Sequence, residues 1–181
     1  MEQVILVDEQ DSPCGVMEKM RAHEEARLHR AFSVFIFDHE GKMLLQQRAL
    51  TKYHSGGLWT NACCSHPRPD EATHAAASRR LREELGFETP IQKIFDFTYK
   101  AEFDNGLTEH EFDHVFVGLY HAAMDLNPEE VADTAYLSMD EIRVALANQP
   151  EQYTAWFHIA FPKVANWYQS HFSAYLTQQL S

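Results

Sequence analysis

The sequence predicts an α+β fold, because strand-like and helix-like segments are mixed along the chain without a regular strand–helix–strand alternation. Two observations carry this. Ala31 to Phe37, rich in β-branched and aromatic residues, and Lys42 to Gln47, carrying Met43, Leu44 and Leu45, lie on either side of the turn-forming Asp38-His39-Glu40-Gly41, which is the pattern of a β-hairpin. Glu71 to Leu85, by contrast, places Ala77, Leu81 and Leu85 on one helical stripe, with Arg80 and Glu84 side by side at its edge.

In chain order, Val4 to Val7 opens as a short apolar strand, and the hairpin follows. A glycine-containing loop at Ser55-Gly56-Gly57 leads into Leu58-Trp59-Thr60. Asp70 is positioned to cap the helix over 71–85, which Gly86 ends and Pro90 follows. Glu111 to Leu119 reads as a strand through Phe112, Val115, Phe116 and Val117. Ser138-Met139-Asp140-Glu141 has capping-box spacing and opens a second helix. From Trp156 to about Gln179 the chain is amphipathic and helical, with an interruption expected at Pro162.

At 181 residues the chain suits one domain over 1–181 with a sizeable core. Fifteen basic against twenty-seven acidic residues give a net charge of −12, which argues against general nucleic-acid binding, since that rests on neutralising phosphates. No run reaches the roughly 18 apolar residues of a spanning helix, and Val4 to Val7 is too short for a signal peptide, so a cytoplasmic protein without membrane attachment is expected. Three cysteines, with Cys63 and Cys64 adjacent, suit reduced thiols better than a disulfide framework.

The chemistry-bearing residues concentrate in a few places. From Ser65 to Phe87, Glu71 is followed eight residues later by Arg79 and then by Glu83-Glu84-Leu85-Gly86. This segment, 65–87, resembles the Nudix box, whose helical carboxylates hold Mg²⁺ against diphosphate oxygens. Two positions depart from the box: Ser65 stands for its leading glycine and Arg80 for a glutamate. A guanidinium binds no cation but grips a phosphate, which shifts the chemistry from attacking a diphosphate toward holding it. His23, His29 and His66, with Glu109 and Glu111 two apart on a strand, make a donor set suited to an octahedral transition-metal site with one position open. The other eight histidines, His54 among them, are read as ordinary core or surface residues.

His23, Leu28-His29-Arg30-Ala31-Phe32, Gln47-Arg48-Ala49-Leu50-Thr51-Lys52, Trp59-Thr60-Asn61, Cys64-Ser65-His66-Pro67, Glu109/Glu111 and Trp156 occur in the order found in type 1 isopentenyl-diphosphate isomerases, and over roughly residues 4 to 165 the chain resembles that family. The resemblance implies a Nudix-type mixed β-sheet core flanked by helices and an enzyme that moves a double bond in an isoprenoid diphosphate. It implies Cys64 and Glu111 as the proton-transferring pair, with the Cys64 pKa lowered, Tyr99 hydrogen-bonded beside Glu111, and Trp156 facing the cationic intermediate. Arg48, Lys52 and Arg80 match the diphosphate-gripping residues. His23, His29, His66, Glu109 and Glu111 match the ligands of one divalent metal (Mn²⁺, Mg²⁺ or Zn²⁺), and Glu84 matches a ligand of a second, Mg²⁺, bound with the diphosphate. The expected partner is therefore a small isoprenoid diphosphate, and the chain a monomer or weak homodimer. Two rivals stand beside this: a Nudix hydrolase, against which Arg80 and the Cys64/His66 pair speak, and a non-catalytic diphosphate sensor, against which the intact set of Cys64, Glu111, Tyr99 and Trp156 speaks.

Overall fold

The computed structural model describes residues 1–52 and 54–181, and the α+β expectation holds in it: among the described residues, nine strands and four helices form one mixed sheet with helices on both faces. The continuous apolar run at the end of the central strand β3 (His29–Phe37) explains the layers. Its Phe35 and Phe37 pack with Phe157, Phe161 and Val164 of α4 (Ala155–Leu180), while Val34 and Ile36 face Ala77, Leu81 and Leu85 of α2 (Thr73–Leu85). Successive side chains of a strand point to opposite faces, so a run that is apolar at every position demands cover on both.

The expected hairpin is present only at its turn. Asp38 Oδ1 accepts hydrogen bonds from the N–H groups of Glu40 and Lys42, but β3 pairs with β4 (Met43–Arg48) only at Phe37↔Met43. The flanks of β3 are taken by β8 (Thr108–Leu119), parallel along nine residues, and by β6 (Cys63–Ser65), antiparallel over Phe32 to Val34. β4 instead pairs with β5 (Trp59–Asn61) and β9 (Val131–Leu137). β1 (Gln3–Val7) and β2 (Pro13–Glu18) form a hairpin beside β3, α1 (Lys19–Glu24) follows it, and β7 (Ile91–Glu102) runs antiparallel to β8.

Two local expectations are corrected. Asp70 does not cap α2: it lies in the left-handed region (φ 65°), and the helix starts at Thr73 after Ala72, which provides no side-chain cap. Glu71 instead receives a two-pronged bond from Arg79, at 2.7 and 2.9 Å, and Arg79 also donates to Glu83 at 2.8 Å. These Nudix-box residues tie the entry loop onto α2. Helix α4 runs through Pro162, whose missing N–H removes one helical bond; buried Phe157, Phe161 and Val164 on either side anchor both halves. Gly86 does end α2, at φ 73°, and a Cβ there would lie 2.5 Å from the Asp125 carbonyl oxygen. The Ser138 capping box opens α3 (Met139–Asn148) as expected.

Candidate active site

One pocket collects residues from distant parts of the chain, and the sheet register does the collecting. His29, at the start of β3, sits opposite Glu111 of β8; Tyr99 of β7 pairs with Glu111 from the other side; and Ser33 of β3 pairs with Cys64 of β6. Glu109, Glu111 and Asp113 alternate along β8 and are all buried on one face. His23 reaches the same place from α1, fully buried, and His66 from just beyond β6.

The imidazoles are oriented as metal ligands. His23 Nδ1 lies 2.7 Å from the Lys19 carbonyl oxygen and His29 Nδ1 2.8 Å from that of Arg27. A carbonyl only accepts, so both Nδ1 atoms carry a hydrogen, which turns both Nε2 atoms inward as the positions a metal would take. His29 Nε2 then faces Glu111 Oε2 at 3.2 Å, and His66 Nε2 faces the same oxygen at 2.8 Å. Acceptors crowded about one point in this way need a proton or a cation among them, and the buried mixture of imidazole and carboxylate suits a divalent transition metal. The donor atoms of His23, His29, His66 and Glu111 lie within 4.8 Å of one another, as do those of His23, His54 and Glu109. Four of the five expected residues thus fall in one cluster, and Glu109 falls in the second, which shares His23 and adds His54, a histidine to which sequence reasoning assigned no role.

Electrostatics follow the same geometry. Burial opposes the charged form of Glu111, yet the neighbouring His66 and His29 outweigh it and hold the carboxyl well below its ordinary range. Burial and the Glu111 charge push Glu109 the other way, upward. Tyr99 donates its hydroxyl to Glu111 Oε1 at 2.6 Å and is itself pushed well up by burial and the two glutamates.

Across the pocket Cys64 Sγ donates to Asn61 Oδ1 at 3.1 Å and lies 3.4 Å from Ser33 Oγ, which donates to Asp113 at 2.7 Å. Asn61 is pinned because its amide donates to the Val34 and Cys63 carbonyls. Here the expectation reverses: burial and then Asp113 raise the Cys64 pKa, so the thiol of the free site keeps its proton. Trp156, nearly fully buried, packs beside Cys64 and Tyr99, with the Arg48 guanidinium 5.1 Å from its ring centroid. Cys63 is buried and donates to Glu84 at 2.9 Å, which separates its role from that of Cys64.

The charged end of the pocket holds Arg48, Lys52, Arg80 and Glu84. Arg80 lies 3.3 Å from Glu84 and 3.4 Å from Glu130, and Lys52 donates to Glu130 at 2.6 Å. Glu130, in a polar turn, had no periodic or spacing signal to mark it. Its carboxylate occupies Lys52 and Arg80, two of the three cations expected to grip a diphosphate. Glu130→Gln removes that competing charge at near-constant size, and by Coulomb's law at an effective dielectric of about 20, discounted for partial exposure, it is expected to tighten inorganic pyrophosphate binding about fivefold without Mg²⁺. Titration calorimetry checks this; weaker binding would make Glu130 the scaffold of Lys52 and Arg80 instead.

The NUDIX domain family matches residues 27–157. An isopentenyl-diphosphate Delta-isomerase of Pectobacterium atrosepticum is 49% identical over 168 residues, 93% of this chain and 94% of that protein. One of Burkholderia multivorans is 50% identical over 157 residues, 87% and 89% of the two chains. Among solved structures, a Deinococcus radiodurans protein superposes with a TM-score of 0.68 at 18% identity, covering 82% of this chain and 90% of that one. A MutT protein of Methanosarcina mazei superposes with 0.63 at 19%, covering 77% and 94%. At such identities the two structures speak for the fold alone.

Proposed function

The chain belongs to the isopentenyl-diphosphate Delta-isomerases, within the NUDIX domain family, and from that premise we propose that it interconverts isopentenyl and dimethylallyl diphosphate by adding a proton at C4 and removing one at C2. The observation that carries the proposal is that Glu111, with Tyr99 bonded to it, and Cys64 line a single pocket that also holds Trp156, while Arg48, Lys52 and Arg80 line its charged end.

Arg48, Lys52 and Arg80 grip the diphosphate, and that remote binding energy holds the short hydrocarbon tail between the two proton-transfer groups. Glu111 in its protonated form, which the neighbouring histidines disfavour in the free site, delivers its proton to C4, leaving a tertiary cation on the substrate. Tyr99 keeps the Glu111 carboxyl turned toward the tail through its 2.6 Å hydrogen bond. Trp156 offers its ring face to the cation, an attraction of about 2 kcal/mol in a dry site, and excludes the water that would trap it as an alcohol. Cys64 as thiolate takes the C2 proton, which restores an alkene and leaves a thiol. In the reverse direction the same thiol is the donor, the form that the free site favours. His23, His29, His66, Glu109 and Glu111 would hold a divalent metal, Mn²⁺, Mg²⁺ or Zn²⁺, and Glu84 a Mg²⁺ with the diphosphate. When bound, the first supplies Lewis acidity to the Glu111 carboxyl and the second neutralises phosphate charge.

We also infer a single functional unit over 1–181 acting in the cytoplasm, as a monomer or weak homodimer, on this small molecule and not on nucleic acid or membrane. Among the described residues no helix is long and apolar enough to cross a membrane. The test is incubation with isopentenyl diphosphate and Mg²⁺ in D₂O followed by NMR. Dimethylallyl diphosphate carrying deuterium in its methyl groups supports the proposal; phosphate or pyrophosphate release without allylic product returns the chain to hydrolysis.

A further inference from the structure

His54 lies in the loop between β4 and β5, buried, with its ring stacked on Phe103 (centroids 4.9 Å apart, 11° between planes) and edge-on to Trp156 at 5.8 Å. Two aromatic contacts therefore fix the plane of the imidazole. Its Nδ1 is 3.4 Å from Ser55 Oγ, and its Nε2 lies on the other side, 3.8 Å from Glu109 Oε2. That same carboxylate oxygen is 3.9 Å from His23 Nε2.

These separations are those of ligands around an ion. With metal–ligand lengths of about 2.1 Å, donors at right angles are about 3.0 Å apart and opposite donors about 4.2 Å. The 3.8 and 3.9 Å distances fall inside that span. His23 belongs both to the cluster with His29, His66 and Glu111 and to the cluster with His54 and Glu109. The six donors do not all fall within 4.8 Å of one another, but His23 is common to both clusters and one imidazole nitrogen binds one ion, so an ion held through His23 draws the two clusters into a single centre of four imidazoles and two carboxylates. We infer that His54 is the sixth protein ligand of this centre, on its Glu109 side, and fills the position that the other five leave open. Four nitrogen donors favour a borderline transition cation over Mg²⁺, which prefers an all-oxygen shell. A fully occupied shell also keeps water off the ion, next to a tail whose cation water would quench.

The inference rests on the metal reading of the His/Glu centre but not on the isomerase chemistry. The test loads the full chain with Mn²⁺ and Co²⁺ alone, in wild type, His29→Ala, His54→Ala and His54→Phe, the last retaining an aromatic ring between Phe103 and Trp156 if His54→Ala fails to fold. Affinity is measured by competition with a chromophoric chelator, and access of water to bound Mn²⁺ by water-proton relaxation. Both His54 variants are expected to weaken binding about tenfold or more and to raise the relaxation rate per bound ion, as water takes the sixth position. Affinity within twofold of wild type with unchanged relaxation, while His29→Ala loses the ion, overturns the role of His54 and leaves the centre standing. A wild type that binds neither ion overturns the centre and His54 with it.

Discussion

Glu111→Gln is expected to abolish turnover, with kcat falling by about 10⁴, the upper end of what a positioned acid contributes. Three contacts converge on this carboxyl: His29 Nε2 at 3.2 Å and His66 Nε2 at 2.8 Å on Oε2, and the Tyr99 hydroxyl at 2.6 Å on Oε1. An amide cannot give up a proton to C4. It must also turn its NH₂ either toward the imidazole lone pairs, where a cation belongs, or against the Tyr99 hydroxyl, which needs an acceptor. The first choice removes a metal ligand and the second breaks the bond that aims the group. Divalent-metal affinity should therefore fall together with turnover, by about tenfold or more. Steady-state rates by NMR and metal titration of the same preparation check both. Turnover within a hundredfold of wild type with metal fully bound would remove Glu111 as the acid.

Cys64→Ala is expected to lower kcat by about 10²–10⁴ while leaving KM and metal affinity near wild type, because Sγ touches neither the diphosphate-gripping cations nor the ligand set. The scaffold around it is self-sufficient. Asn61 stays pinned by the Val34 and Cys63 carbonyls, and Ser33 keeps its bond to Asp113, so the melting temperature should change little. Cys64→Ser offers a control of similar size. An alcohol is a far weaker acid than a thiol, and in a pocket that already disfavours the thiolate it should rescue little activity. Single-turnover NMR with isopentenyl diphosphate separates chemistry from binding. A variant with wild-type turnover would leave the C2 proton to another group.

The legible parts of the fold were those with strong local signals: the doubly apolar β3, the helical stripe of Ala77, Leu81 and Leu85, the Ser138 capping box, and Gly86 as a helix stop. β7 was missed although Phe97, Tyr99 and Ala101 alternate with exposed residues over 96–102, because a register shift between Lys93 and Phe95 breaks the pattern before them. α1, six residues long, is too short to show a helical period, although it carries His23. β9 is half exposed and pairs with β4 far away in sequence, a contact that no local pattern encodes. Asp70 misled because a capping residue type two positions too early sits in a left-handed turn.

The sequence by itself determined the residue types of the site and their order: Cys64 two before His66, Glu109 two before Glu111 on one strand, and basic residues at 48, 52 and 80. From these follow the reactive groups, a metal-suited donor set and the match to a family. Only the tertiary structure decided which groups meet. The parallel register of β3 and β8 brings His29 to Glu111 across 82 residues, and the loop after β4 carries His54 to Glu109. It also decided the proton on Cys64, since a pKa depends on burial and on a charge such as Asp113, neither of which is a property of the neighbours in sequence.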